Sequence, residues 1–291
     1  MARRERSLHL TWLMPLCTLV QFMLPRWVVV PIARLVGRVL YVLDSRQRLR
    51  LIENYRHILG PDVADARLQA YALQAMTYLV VGYADLLRVP VMKRRVSRIA
   101  DFDARQIDAV LAGGRGAVLV TPHLGNWDLA GVFMGARGYP ISAVVELIPR
   151  GWTATFNRYR NATAMETIPI PDHRAIARAL ERGRLLALVA DRDLTGRGIP
   201  LPAFDAIRSY PKGPAAYALR YGLPVVVGYF VHQRKPGRPP YVGAIGAPLN
   251  FRPSGDADAD IPALTRLIAH ELNRLIARYP EQWLVFNAGW Q

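Results

Sequence analysis

From about residue 113 onward, short aliphatic and β-branched runs alternate with stretches whose apolar residues recur at helical spacing, and this alternation constrains the fold more than any other feature. "GAVLVTP" reads as a strand, and "NWDLAGVFMGAR" as a helix with Asn126 in the N-cap position. "ISAVVE" (strand), "TATFNRYRNA" (helix) and "TIPI" (strand) follow. "PDHRAIARALERG" is a helix capped by Asp172 and closed by Gly183. "LLALVA" is a strand, "GPAAYALRYG" a helix, and "LPVVVGYFV" and "YVGAIGAP" are strands. A last helix begins near Pro262, with Leu264, Leu267, Ile268, Leu272, Leu275, Ile276 and Tyr279 as its apolar stripe, and "SGDADAD" before it reads as a polar loop. Such alternation predicts an α/β fold with a mostly parallel central sheet flanked by helices. Ligands of these sheets bind beyond the carboxyl ends of the strands. His123 and Asp191 each fall just after a predicted strand, on one edge.

The first 60 residues have a different character. An uncharged 19-residue span, 7–25, is bounded by Arg6 and Arg26. That approaches the ~20 residues a spanning helix needs, but His9, Thr11, Pro15 and Gln21 make it a poor one. "WVVVPIARLVGRVLYVL" follows, interrupted by Arg34 and Arg38, and residues 26–90 read as helical, with Gly60 closing "SRQRLRLIENYRHILG". A basic, apolar, Trp-bearing terminus suits helices lying in a membrane interface, on the cytoplasmic side, and buried core helices are the alternative. The expected organisation is therefore a membrane-associating helical region, 1–60, and an α/β domain, 61–291. The net charge of +16 also favours an anionic partner. Only Lys93, Lys212 and Lys235 are lysines; the rest of the 38 basic residues are arginine, which suits bidentate binding of phosphate and carboxylate. No helix-turn-helix, zinc-finger or aromatic RNA-binding signature accompanies the charge, so nucleic acid is not the expected partner. The single cysteine, Cys17, excludes an internal disulfide and a cysteine-based zinc site.

The chemistry-bearing stretch is "TPHLGNWDLAG", where His123 and Asp128 lie five positions apart. On a continuous helix their side chains would diverge by roughly 140°. Across a strand-to-helix turn, a first-turn aspartate reaches back to one imidazole nitrogen and leaves the other free to take a proton from a hydroxyl. Helix N-terminal amides nearby would favour developing negative charge. Residue types and spacing alone leave three readings: a catalytic pair, a metal site, or two satisfied polar residues on a turn. The other histidines show no spacing that completes a ligand set.

"HLGNWDLAG" resembles the H-x4-D/E motif of lysophospholipid and glycolipid acyltransferases, and more narrowly the branch holding lipid A secondary acyltransferases and phosphatidylinositol mannoside acyltransferases. The resemblance covers nearly the whole chain. "LVGRVLYVL" with "LRLIENYRHILG" is similar to that branch's amino-terminal region. "VVEL" and "NRYRNA", "LLALVADRDLTGRG", "YPKGPAAYALRYGLPVVVGYF" and "YPEQW" match its later segments in order. The family's usual Phe-Phe-Gly after the polar loop is replaced by "LPAFDAI", where Asp205 stands at the glycine.

The resemblance implies acyl transfer from an acyl carrier protein or coenzyme A thioester to a hydroxyl of a lipid-linked sugar, with His123 as general base and Asp128 as its orienting partner. It implies no enzyme nucleophile, metal or redox cofactor. Asn126, Glu146 and Arg160 join the implied substrate-binding set; Arg150, Arg158 and Arg160 are candidates for donor or acceptor phosphates, or else solvated helix-face charges. Asp191, Arg192 and Asp193 are candidates for shaping the acceptor pocket, or else a salt-bridged loop. A nucleic-acid-binding protein and an inactive membrane scaffold of the same fold are the competing readings.

Overall fold

A computed structural model describes residues 13–146, 152–233 and 235–291. Seven strands form the main sheet in the order β1-β9-β8-β2-β5-β3-β4: β1 (Ala100–Asp103), β9 (Tyr241–Ile245), β8 (Val225–His232), β2 (Ala117–Thr121), β5 (Leu185–Val189), β3 (Ile141–Val145) and β4 (Glu166–Pro169). All neighbours are parallel except β8 and β9. The expected α/β class and mostly parallel sheet are therefore present. The central strands read as continuous aliphatic runs because helices cover both faces, so no alternation with polar residues is required.

The helices α6 (Arg105–Ala112), α7 (Trp127–Ala136), α8 (Trp152–Arg160), α9 (His173–Glu181), α10 (Gly213–Tyr221) and α11 (Ala257–Arg278) connect or flank these strands. One core lies between α7 and the sheet, around Leu119, Phe133, Leu185 and Phe230. Val118, Val120 and Val227, pointing to the other face, pack against Leu264, Ile268, Leu272 and Ile276 of α11. Caps follow the sequence: Asn126 Oδ1 accepts the Leu129 N–H, Asp172 accepts that of Ala175, and Gly60 closes the helix before it.

Three elements depart from the sequence reading. The last helix starts at Ala257, capped by Asp256, so most of the expected polar loop is its first turn. Asp258 and Asp260 there are favoured by the helix dipole. Strand β1, in which Asp101 and Asp103 alternate with apolar residues, was not expected. Nor was the antiparallel hairpin β6 (Ile199–Ala203) and β7 (Ala206–Tyr210). Its turn residue Phe204 has φ 59°, a conformation that rarely suits a side chain.

At the amino terminus, α1 (Leu13–Met23), α2 (Arg26–Leu43) and α3 (Ser45–Leu59) precede α4 (Asp65–Leu87); α5 (Val89–Met92) and a 3₁₀ segment, Lys93–Arg98, lead into β1. Gly37 lets α2 cross α4 closely, since a Cβ there would stand 2.7 Å from Thr77 Cα. Leu51 and Tyr55 of α3 share a core with Leu68 and Ala72 of α4 and with Leu284, so packing runs across residue 60. No described helix is long and apolar enough to cross a membrane. The outward face of α2 is nonetheless apolar: Trp27 is 77% exposed and Leu43 74%, with Leu35, Val39 and Val42 between them.

Candidate active site

Strand β2 has β5 on one side and β8 on the other, and the carboxyl ends of these strands meet where His123 lies. The loop after β2 turns sharply at Gly125, whose φ is 63° and whose missing Cβ would otherwise strike the Phe230 carbonyl. Gly125 N–H donates to the Gln282 carbonyl, Asn126 N–H to that of Phe230, and Leu284 N–H to that of His123. The carboxyl-terminal segment after α11 thus clamps the motif loop from outside the sheet.

The carboxylate on the imidazole is that of Asp191. His123 Nδ1 lies 2.5 Å from Asp191 Oδ1, while the His123 backbone N–H donates to Oδ2 at 3.0 Å. Trp283 Nε1–H donates to the same Oδ2 at 2.7 Å. Asp191 is fully buried after β5, and Arg208 lies beneath it, donating to its backbone carbonyl. The Arg208 guanidinium is stacked over Trp283 and Trp290, at 4.8 and 5.1 Å from the ring centroids. Burial pushes the Asp191 carboxyl up, but the His123 charge and hydrogen bond, the Arg208 charge and the Trp283 N–H outweigh it and hold the group well below the usual carboxylate range. A carboxylate accepting at Nδ1 fixes the imidazole with that nitrogen protonated, which leaves Nε2 as the basic nitrogen. The His123 ring lies edge-on to Trp127, with centroids 5.0 Å apart.

This corrects the assignment of Asp128 as the group on the imidazole. Asp128, in the first turn of α7, instead accepts from Arg160 Nε and Nη2 at 2.9 and 3.0 Å. The helix start turns the carboxylate toward α8, where the arginine forms a fork-to-fork pair, with Nη1 also held by Asn157. Arg160 is therefore a wall of the site with its donors engaged, and the phosphate-binding expectation for it does not fit. Asp191 is likewise no part of an acceptor pocket wall, being wholly enclosed. Asn126 is buried and its amide is taken up by Gly82, Tyr241 and Leu129, so it builds the loop and does not reach out to substrate. Asp193 accepts from Thr195, Gly196, Gly198 and Ser209 and fixes its own loop. Arg158 is exposed on α8, away from the cavity; Arg150 lies outside the described residues.

A cavity of about 320 Å³ opens at His123, with Asp128, Glu146, Arg160 and Arg192 at its polar end. It continues between α7 and the sheet. Trp127, Ala130, Gly131 and Met134 line it from α7, one helical face, and alternate strand residues such as Leu119, Ile141, Ala143 and Ala187 line it from below. Ala130 leaves space that a larger side chain would fill, and Gly131 lets Met165 pack against α7, since a Cβ there would stand 2.6 Å from its sulfur. The volume is roughly twice that of an engineered apolar cavity of about 150 Å³ that stays dry and holds benzene. Among the described residues no cluster of His, Cys, Asp and Glu could hold a metal ion.

The model of the bacterial lipid A biosynthesis acyltransferases matches residues 2–291. The chain belongs to this family. It is 29% identical over 253 residues to the phosphatidylinositol mannoside acyltransferase of Mycolicibacterium smegmatis, covering 83% of this chain and 79% of that one. It is 30% identical over 219 residues to the protein of the same name from a Mycobacterium tuberculosis strain, covering 72% and 66%. The chain is thus an acyltransferase by family. The family motif pointed to His123, which the fold places at the cavity mouth, whereas Trp283, Arg208 and the imidazole-facing position of Asp191 come from the fold. "YPEQW" was a visible signal for Trp283; Arg208 had none.

Proposed function

We propose that this acyltransferase moves a fatty acyl chain from a thioester donor, acyl carrier protein or coenzyme A, to a hydroxyl of a lipid-linked sugar of the lipid A or phosphatidylinositol mannoside kind. The site of action is the cytoplasmic face of the cell membrane. One observation carries the reading: an imidazole oriented by a buried carboxylate stands at the mouth of a long apolar cavity. The cavity receives the acyl chain and places the thioester carbonyl beside His123. Nε2 takes the proton of the acceptor hydroxyl as its oxygen attacks the carbonyl carbon. The tetrahedral intermediate then expels the donor thiolate, which recovers the proton from the imidazolium. Asp191 stabilises that imidazolium without taking the proton. The amides of residues 123–126 are already bonded, so they do not serve the oxyanion. Arg192, a cation at the mouth with no ion-pair partner among the described residues, is placed to attract negative charge on donor or intermediate.

Membrane association is proposed through the outward apolar face of α2, beside which Arg34 and Arg38 suit anionic lipid. The names of the mycobacterial relatives favour a mannoside acceptor over lipid A. The test is transfer of labelled acyl groups from both thioesters to extracted glycolipid. The wild type transfers; His123→Ala loses on the order of 10³-fold in rate while remaining folded at the assay temperature. Undiminished transfer by the folded variant would reject the mechanism.

A further inference from the structure

A second cavity, of about 210 Å³, lies between α2, α4 and the carboxyl end of β8, and its wall carries Arg26, Arg34 and Arg238 with Tyr78, His232 and Gln233. It shares no residue with the acyl cavity. Arg26 is held in place by Asp85, which accepts from its Nε and Nη2 at 2.9 and 2.8 Å and leaves Nη1 for another acceptor. Asp85 is itself fixed by the Tyr241 hydroxyl, and that hydroxyl accepts from Asn126. Arg238 stands 3.9 Å from Asp101, and Arg34 has no hydrogen-bond or ion-pair partner among the described residues. Three guanidinium groups against two carboxylates leave the cavity a net cation, and its arginines present planar, multiply donating groups of the kind that fit phosphate.

Its place on the fold says which phosphate. Arg26, Val30 and Arg34 recur every four residues along one side of α2. At about 100° per residue, this row runs between the buried stripe of Val29, Ala33 and Gly37 and the outward stripe of Leu35, Val39 and Val42. With the outward stripe in the acyl layer of a membrane, Arg34 comes to the level of the headgroups. We propose that this cavity binds the phosphate of an anionic phospholipid headgroup, gripping one lipid beside α2 while the rest of the outer face makes unspecific contact. The proposal rests on the membrane docking of α2 given above.

The full chain is measured against vesicles of phosphatidylcholine with and without phosphatidylglycerol, as wild type, as Arg34→Gln, as Arg34→Gln/Arg238→Gln, and as Arg46→Gln/Arg67→Gln. The last removes the same charge from exposed positions outside the cavity. Loss of the grip weakens binding to the anionic vesicles about tenfold in the Arg34/Arg238 pair, with less than about a twofold loss in the charge-matched control. Arg34→Gln alone, at an exposed and unpartnered side chain, gives an intermediate loss that unfolding does not explain. Soluble glycerophosphoglycerol raises the thermal midpoint of the wild type and not of the pair variant. Equal losses in pocket and control variants overturn the proposal, as general attraction would then suffice. Protection by inorganic phosphate, together with pocket variants that bind vesicles as the control does, overturns the lipid source. A wild type that ignores both vesicles refutes the docking of α2 itself, a result distinct from either.

Discussion

Two aspartates near one histidine divide the labour in a way their sequence spacing reverses. Asp128 is five residues from His123 and binds Arg160; Asp191 is 68 residues away and binds the imidazole. The contrast is measurable. Asp191→Asn removes the charge that stabilises the imidazolium and leaves an amide that competes for the tautomer, so kcat falls on the order of 10³-fold with KM little changed. Asp128→Asn leaves Arg160, whose side chain is only 10% exposed, without its counter-charge. Breaking a buried pair of this kind costs about 3 kcal/mol, so this variant loses stability in urea unfolding and keeps more of its kcat. An Asp128→Asn protein that is fully stable and as inactive as Asp191→Asn would return the orienting role to Asp128. The histidine was legible because a strand, a glycine turn and a helix start are local. Its partner was not, because which carboxylate arrives depends on β5 lying next to β2, and adjacency of strands is no property of either segment.

Among the elements, α7 sets which acyl chain the cavity accepts on the proposed reading. Ala130 opens the face of the helix that looks onto the sheet, and Met134 lies one turn further from His123. Ala130→Phe adds a ring to this face and shortens the accessible channel. The expected result is a shift of donor preference toward shorter acyl chains, seen as a falling ratio of long-chain to medium-chain kcat/KM with medium-chain turnover retained; an unchanged chain-length profile counts against the cavity as the acyl site. The elements that were hard to read explain themselves physically. The β6–β7 turn, Phe204–Asp205, lacks the Gly or Asn that usually marks a two-residue hairpin, and β6 carries Pro200 and Pro202, which argue against a strand. Strand β1 is an edge strand whose acids hide its apolar pattern and discourage pairing with other chains. The first turn of α11 was obscured by aspartates that stabilise a helix start as readily as they populate a loop. The long strands and well-capped helices were legible because capping, glycine stops and β-branched runs all act locally.

At the scale of the molecule, the apolar face of α2 and the acyl cavity meet through α4, which packs under α2 and sends Leu79 and Tyr83 to the cavity lining. On the proposed reading, their separation by one helix lets membrane attachment and catalysis be altered independently. Leu35→Glu/Val39→Glu places two carboxylates on the outward face, at positions that are 59% and 46% exposed and make no part of the core. The folded protein tolerates them, since exposed substitutions of this kind change stability by roughly 0.5 kcal/mol or less. Bilayer attachment does not, because the glutamates replace the apolar area that enters the interface and repel anionic lipid. The double variant is therefore expected to leave sedimenting vesicles for the supernatant. In detergent, where acceptor and enzyme meet without a bilayer, its kcat stays within about twofold of the wild type, a difference of less than about 0.5 kcal/mol in barrier. Continued sedimentation with vesicles would remove α2 as the attachment surface. Loss of kcat in detergent would show instead that the outward face of α2 takes part in acceptor binding, so the two measurements together separate anchoring from substrate delivery.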